Sequence, residues 1–164
     1  FGGLAAERAV VNELRVKAEY IVRFAQYIEW PKGVFAAAES PIRIGVLRTD
    51  PLSAVLLRAV KGKKVGRRLF QVEMIDSEDE LDGLHVVYMG GLALWRQEKL
   101  IENTRTKPVL TVGDVPDFAR KGGRITFVTV DRQLRFEVNL ASARAAGFKV
   151  SSKLLSVAEK VHQK

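Results

Sequence analysis

Two aspartates lie where α/β proteins place ligand-binding side chains. Asp50 and Asp114 each follow an apolar run that is typical of a buried strand. Ligands of open α/β sheets gather beyond the carboxyl ends of parallel strands, so both carboxylates could contact a small molecule there. Asp114 could instead cap a short helix over 117–121 or close a turn around Pro116. The sequence leaves both interpretations of Asp114 open.

A third polar set alternates with apolar residues along one later run. Arg135, Glu137 and Asn139 fall on one side of a strand, about 7 Å apart, while Phe136 and Val138 fall on the other. A guanidinium, a carboxylate and an amide in a row give this face strong hydrogen-bonding groups, and Asn139 could contact a small ligand. The alternatives are a solvated hairpin exterior and a buried polar network.

Other chemistries find little support. The segment 62–66, Gly-Lys-Lys-Val-Gly, lies between a helix and a strand, the reverse of the order in a phosphate loop, and is interpreted as a turn. His85 and His162 lack the short ligand spacing of a zinc motif, and the chain has no cysteine. No G-x-S-x-G turn is present. We therefore expect no enzymatic activity, no metal and no cofactor.

The apolar periodicity predicts the elements that position these residues. A long amphipathic helix is expected over about 4–28, helices over 52–60 and 92–103, and a C-terminal helical segment over about 141–162 that includes a helix at 152–162. Strands are expected at 42–47, 69–75, 86–89, 109–112, 125–130 and 134–140. This order predicts a single three-layer α/β domain over 1–164. Its core, over about 42–140, has a mixed sheet of about six strands that ends in an antiparallel hairpin.

Charge is unevenly distributed along the 164 residues. The chain has 27 basic and 19 acidic residues, a net charge of +8. The segment 58–68 holds six basic residues and no acid, whereas 73–82 holds six acids and no base. Two opposite patches indicate a polarised surface rather than a nucleic-acid stripe, so we expect no nucleic-acid partner.

Ten short motifs follow one another along the chain. They are Phe24-x-x-Tyr27-Ile-Glu29-Trp30-Pro31, Ile42-Arg-Ile-Gly-Val-Leu47, His85-Val-Val-Tyr88, Pro108-Val-Leu-Thr-Val-Gly-Asp114, Phe118, Gly122-Gly123, Ile125-x-Phe127, Arg135-Phe-Glu-Val-Asn139, Ala143-x-x-Ala146-Gly147 and Ser152-x-Leu154-Leu155. In this order they resemble the YfiR family of bacterial periplasmic proteins, and the resemblance covers about residues 17–158.

This resemblance implies a non-catalytic periplasmic regulator. The namesake restrains an inner-membrane diguanylate cyclase through the periplasmic sensor domain of that enzyme, and an OmpA-like outer-membrane lipoprotein relieves the restraint. By the same resemblance, Glu137 and, beside it, Arg135 are expected to contact the partner. The chain begins at Phe1 rather than Met, which is compatible with a removed signal peptide or with a shortened sequence. Together with the family resemblance, this leads us to expect export to the periplasm. The sequence leaves open whether the protein forms a homodimer.

One departure from the family concerns cysteine. Many relatives have cysteines at the positions of Gly45 and Leu84, so control by disulfides is not expected in this chain. Similar domains also occur as input modules of signalling proteins. The alternative function is therefore a small-molecule-binding sensory domain that uses Asp50, Asp114 and Asn139.

Overall fold

An eight-stranded mixed sheet forms the middle layer of the protein, which a computed structural model describes over residues 2–164. Its strands, in chain order, are β2 (Ile42–Leu47), β3 (Lys64–Val65), β4 (Arg68–Ile75), β5 (Val86–Met89), β6 (Leu110–Gly113), β7 (Ile125–Val130), β8 (Gln133–Asn139) and β10 (Lys160–His162). A separate two-stranded antiparallel sheet joins β1 (Ile28–Glu29) to β9 (Lys149–Val150).

The strand order across the large sheet is β10-β8-β7-β6-β5-β2-β4-β3. Neighbouring strands are parallel except for the hairpin β7-β8 and the short pair β3-β4. All six predicted strands belong to this sheet, and the predicted hairpin is confirmed. The two further strands are short and lie at the edges. A three-layer α/β domain is therefore the correct fold class.

Five helices accompany the sheet. They are α1 (Gly2–Gln26), α2 (Leu52–Ala59), α3 (Leu94–Thr104), α4 (Leu140–Ala145) and α5 (Ser152–Val157). The buried faces of α1 and α2 share one apolar core with the inner side chains of the sheet, and the buried residues of α3 belong to a second core. Within residues 2–164, no helix is long and apolar enough to cross a membrane.

The central strands are buried on both faces because helices or loops cover each side. In β5, Val86 and Tyr88 belong to the α1/α2 core, whereas Val87 and Met89 belong to the α3 core. This explains the continuous apolar run of β5, which is typical of a parallel strand between two layers. The strand predicted at 69–75 to be an edge strand has β2 along its length on one side and only two residues of β3 on the other.

The C-terminal helix predicted over 152–162 is wrong beyond Val157. Ala158 adopts an extended conformation, and Lys160–His162 then pairs in parallel with Glu137–Asn139. The backbone of β8 would otherwise be an unpaired sheet edge, so the strand pairing outweighs the helical periodicity of the sequence.

The short helix considered over 117–121 is also absent. Asp117 has a φ of 67°, in the left-handed region, and the segment closes as turns through bonds such as Gly123 N to Phe118 O. The left-handed residue prevents a regular helix from starting there.

Candidate functional site

The polar side of β8 is extended by the C-terminal strand rather than left as a simple hairpin exterior. Parallel pairing places His162 beside Asn139 and Lys160 beside Glu137. Because paired residues of neighbouring strands point to the same side, His162 joins the face that carries Arg135 and Glu137. The structure thus brings together residues that are far apart in the chain.

Two charged contacts connect this face to the C-terminal segment. Nε2 of His162 lies 2.8 Å from Oε1 of Glu137, and Nε of Arg135 lies 3.6 Å from Oε2 of Glu159. The Glu137 side chain is 22% exposed and the Arg135 side chain 46% exposed. We call these four side chains (Arg135, Glu137, Glu159 and His162) the C-terminal polar patch. It is a surface with both charge signs, which suits a protein partner of mixed charge.

Asn139 lies at the buried end of the same face. Its Oδ1 accepts a hydrogen bond from Ser142 N at 2.8 Å and so caps α4, and its Nδ2 donates to Ala119 O at 2.7 Å. The residue is 2% exposed. These bonds use the amide to hold α4 against the turn that precedes β7, a structural role that the sequence did not distinguish from ligand binding.

Asp114 forms a second cluster, at the carboxyl ends of β5 and β6. Its carboxylate accepts hydrogen bonds from Tyr88 Oη at 2.9 Å, Gly91 N at 2.6 Å and Lys17 Nζ at 3.2 Å. Burial, and then the Asp114 carboxylate, raise the pKa of Tyr88 well above its usual range. The hydroxyl therefore stays protonated and donates a hydrogen bond to Asp114. The cluster joins α1 to the sheet.

Asp50 is placed differently from Asp114. Its Oδ1 accepts a hydrogen bond from Leu52 N at 2.8 Å, at the beginning of α2. Burial is the main cause that raises the pKa of Asp50, and the Asp114 carboxylate acts in the same direction. The Asp114 charge therefore acts on Asp50, as expected for carboxylates at one edge of the sheet. Each of the two carboxylates already has hydrogen-bond partners within the fold.

The sequence missed Lys17 and His162. Lys17 interrupts the apolar stripe of α1 that includes Leu14 and Ile21, and a cation on a buried stripe is a signal for a buried carboxylate partner. His162 was assigned to a helix that does not form. Only the strand register beside β8 reveals its contact with Glu137, and no local pattern encodes that register.

The polar groups of both clusters make contacts within the fold. In the part of the chain that the structure describes, no group of three or more His, Cys, Asp or Glu side chains could hold a metal ion. The buried Tyr88 hydroxyl donates to a carboxylate instead of facing a nucleophile. The Asp114 cluster therefore joins elements of the fold, whereas the C-terminal polar patch carries partly exposed charges.

Comparison with known families identifies a family whose model covers most of the chain. The model of the YfiR/HmsC-like family matches residues 14–159. The chain belongs to this family. Membership of the YfiR/HmsC-like family, whose members are periplasmic, indicates a regulatory part in diguanylate cyclase signalling. No curated protein matches the chain.

Gly45 and Leu84, the two positions where the family resemblance leads one to expect cysteines, are neighbours in the structure. Gly45 on β2 faces Leu84, which is 6% exposed, and a Cβ atom at Gly45 would lie 2.5 Å from Leu84 Cδ1. The absent side chain at residue 45 leaves the space that the leucine fills. Close packing between a glycine and a leucine thus joins β2 to the segment that precedes β5.

Proposed function

We propose that this protein is a non-catalytic periplasmic regulator that binds the periplasmic domain of an inner-membrane diguanylate cyclase and lowers cyclic di-GMP synthesis. The observation that carries the proposal is the family match over residues 14–159. The partly exposed charges of the C-terminal polar patch are compatible with it, because a repressor needs a recognition surface.

In this proposal the C-terminal polar patch contacts the cyclase. Glu137 and Arg135 are its main residues, with Glu159 and His162 beside them. The Glu137 carboxylate and the Arg135 guanidinium are partly exposed, and each already has a polar neighbour within the fold. A partner that covers them therefore does not bury an isolated charge. The patch also borders β10, the last strand of the sheet, where backbone pairing with a partner could add to side-chain contacts.

The proposal includes release of the repression. An OmpA-like lipoprotein of the outer membrane would bind the regulator and withdraw it from the cyclase, and a homodimer could be the form that is withdrawn. The lipoprotein follows from the family resemblance alone, and the homodimer is part of the proposal only. The cyclase interaction is the part that the family membership supports.

A second candidate function is a small-molecule sensor. The observation that favours it is a cavity of about 310 Å³ that Glu13, Lys17, Asp114 and Phe127 help to line. This function is the second candidate because the Asp114 carboxylate already has partners. The Asp114 oxygens already accept three hydrogen bonds from the protein, and a ligand amine or hydroxyl would have to displace Lys17 or Tyr88 from them.

Membrane co-purification with a cyclic di-GMP measurement tests the proposed function. The full gene product, expressed in its own host, should be found in the periplasmic fraction and should co-purify with a membrane diguanylate cyclase. Deleting the gene should raise cellular cyclic di-GMP, and restoring it should lower the level again. Unchanged cyclic di-GMP in the deletion strain, together with no cyclase in the purified material, would contradict the proposal.

A further inference from the structure

A groove lies between α1 and α2, far in sequence from the C-terminal polar patch. It has a volume of about 610 Å³. Its floor is apolar and its rim is basic. The floor residues are Val11, Val22, Val55 and Ala59, and the cationic rim residues are Arg15, Arg23, Arg58 and Lys63. We call this feature the α1/α2 groove.

The rim cations have no partner within the described residues. None of the ion pairs between residues 2 and 164 includes Arg15, Arg23, Arg58 or Lys63, and all four residues are exposed. Glu19 is the one acidic side chain that lines the groove. Four cations against one carboxylate give this surface a positive potential that a bound group of opposite charge would satisfy.

The acidic segment of the chain cannot supply that charge from a second copy without losing its own contacts. Four of its six acids are already paired within the fold, as Glu73 with Arg43, Asp76 with Arg48, Glu78 with Arg96 and Asp79 with Lys99. The acidic run is thus largely neutralised, whereas the basic run around Arg58 is not. An external acidic partner fits the groove better than another copy of this protein.

The shape of the groove favours a helix over a flat surface. Val22 is 5% exposed and lies on the floor, below a rim of long basic side chains on α1, on α2 and on the turn that follows α2. Val11, 54% exposed, keeps the end of the floor open. A third helix can place apolar side chains between α1 and α2 while its acidic residues reach the rim. A bilayer surface would contact the rim and leave the floor empty.

We propose that the α1/α2 groove binds an acidic amphipathic helix of a protein partner. Its apolar face packs on Val11 and Val55, and its carboxylates pair with Arg15 and Arg58. This inference does not depend on the cyclase as the partner of the C-terminal polar patch, because the two surfaces share no residue.

A synthetic helix of about 18 residues, about 27 Å long, provides a defined probe. It carries Glu on one face and Leu and Ala on the other, and its control has Gln in place of each Glu. Titrated into the isotope-labelled full chain, the acidic peptide should bind with micromolar affinity and shift the amide signals of α1 and α2. The Gln peptide should bind at least about tenfold more weakly.

Matched charge reversals decide between a site and general attraction. The double variant Arg15→Glu, Arg58→Glu should lose at least about tenfold in affinity, while Arg67→Glu, Arg144→Glu, with the same change in net charge on exposed residues outside the groove, should bind like the wild type. Lys63→Glu alone, also exposed, gives a milder test should the double variant fold poorly.

Three results would overturn the inference. One is equal weakening by both double variants, which indicates attraction by net charge. Another is absence of peptide binding. The third is binding to phosphatidylglycerol vesicles that is lost in the groove variant while the peptide shifts no groove signal, which would assign the surface to a membrane.

Discussion

Glu137 and His162 connect two strands whose contact could not be anticipated from local sequence, with Oε1 and Nε2 2.8 Å apart across 25 residues of chain. The residue expected to bind the partner therefore also holds the last strand, β10, against β8. A substitution of Glu137 acts on recognition and on this local contact together. Experiments at this position need variants that separate the two effects.

Charge reversal at Glu137 should weaken recognition more than global stability. Glu137→Lys loses the contact with His162 and faces Lys160 on the neighbouring strand, so we expect a loss of about 1 kcal/mol in the free energy of unfolding. Hydrogen exchange should become faster in β10 and stay unchanged in β7. Phe136→Ala, at a residue 1% exposed, is the matched core control and should cost about 3 to 5 kcal/mol. Equal destabilisation by both variants would make Glu137 a core residue.

Removal of the Lys17 ammonium should destabilise the fold strongly. Lys17→Met keeps the apolar length of the side chain and leaves the Asp114 carboxylate with two donors in a partly buried place. We expect a loss of about 3 kcal/mol, measured by urea unfolding. Tyr88→Phe removes one neutral donor from the same carboxylate and should cost about 1 kcal/mol. A Lys17→Met protein as stable as the wild type would show that the pair contributes little.

The contact between Gly45 and Leu84 predicts a compensating pair of substitutions. Gly45→Ala forces the Leu84 side chain away from its place in the core and should cost about 1 to 3 kcal/mol. Combined with Leu84→Ala, the same change should cost less than the sum of the two single variants, because the added methyl group enters the space that the leucine leaves. Thermal or urea unfolding of the four proteins completes the cycle. Strict additivity would contradict the contact.

Stability should depend on pH through His85. Burial, then the Arg43 and Arg68 charges, lower the pKa of His85 below 6.5, and Nδ1 accepts a hydrogen bond from Arg43 N at 2.9 Å. Below pH 6.5 the unfolded chain binds the extra proton more readily than the folded chain. The stabilisation is therefore complete above pH 6.5 and decreases as the pH falls toward the lowered pKa.

Urea unfolding between pH 7.5 and pH 5.5 measures this effect. The wild type should lose stability over the range, and His85→Gln, which keeps an acceptor for Arg43 but does not titrate, should lose less. Equal slopes for the two proteins would assign the pH dependence to other groups.

Much of the fold was accessible from sequence because the main strands carry strong local patterns. The apolar run of β5 and the alternation of β8 depend on burial of one or both faces, and each pattern is visible within a few residues. The C-terminal segment was not accessible. Its residues have helical periodicity, but the free edge of β8 offers backbone hydrogen bonds that the sequence of 158–162 does not reveal.

The candidate site was likewise predictable from the sequence only in part. The common face of Arg135 and Glu137 follows from alternation, and the contact of Glu137 with His162 follows only from tertiary register. Asp114 was correctly placed at the end of a strand, but its donors come from α1 and β5, far along the chain. Lys17 shows that a charged residue on an apolar stripe indicates a partly buried group of opposite charge.

Direct titration tests the central claim that the C-terminal polar patch recognises a diguanylate cyclase. The purified full chain is titrated into the purified periplasmic domain of the cyclase that co-purifies with it, with Glu137→Lys and the exposed control Arg67→Glu measured in parallel. Binding by the wild type and Arg67→Glu, with affinity reduced about tenfold or more in a folded Glu137→Lys protein, is the predicted result. Equal affinity of Glu137→Lys and wild type, or no binding by the wild type, would contradict the account.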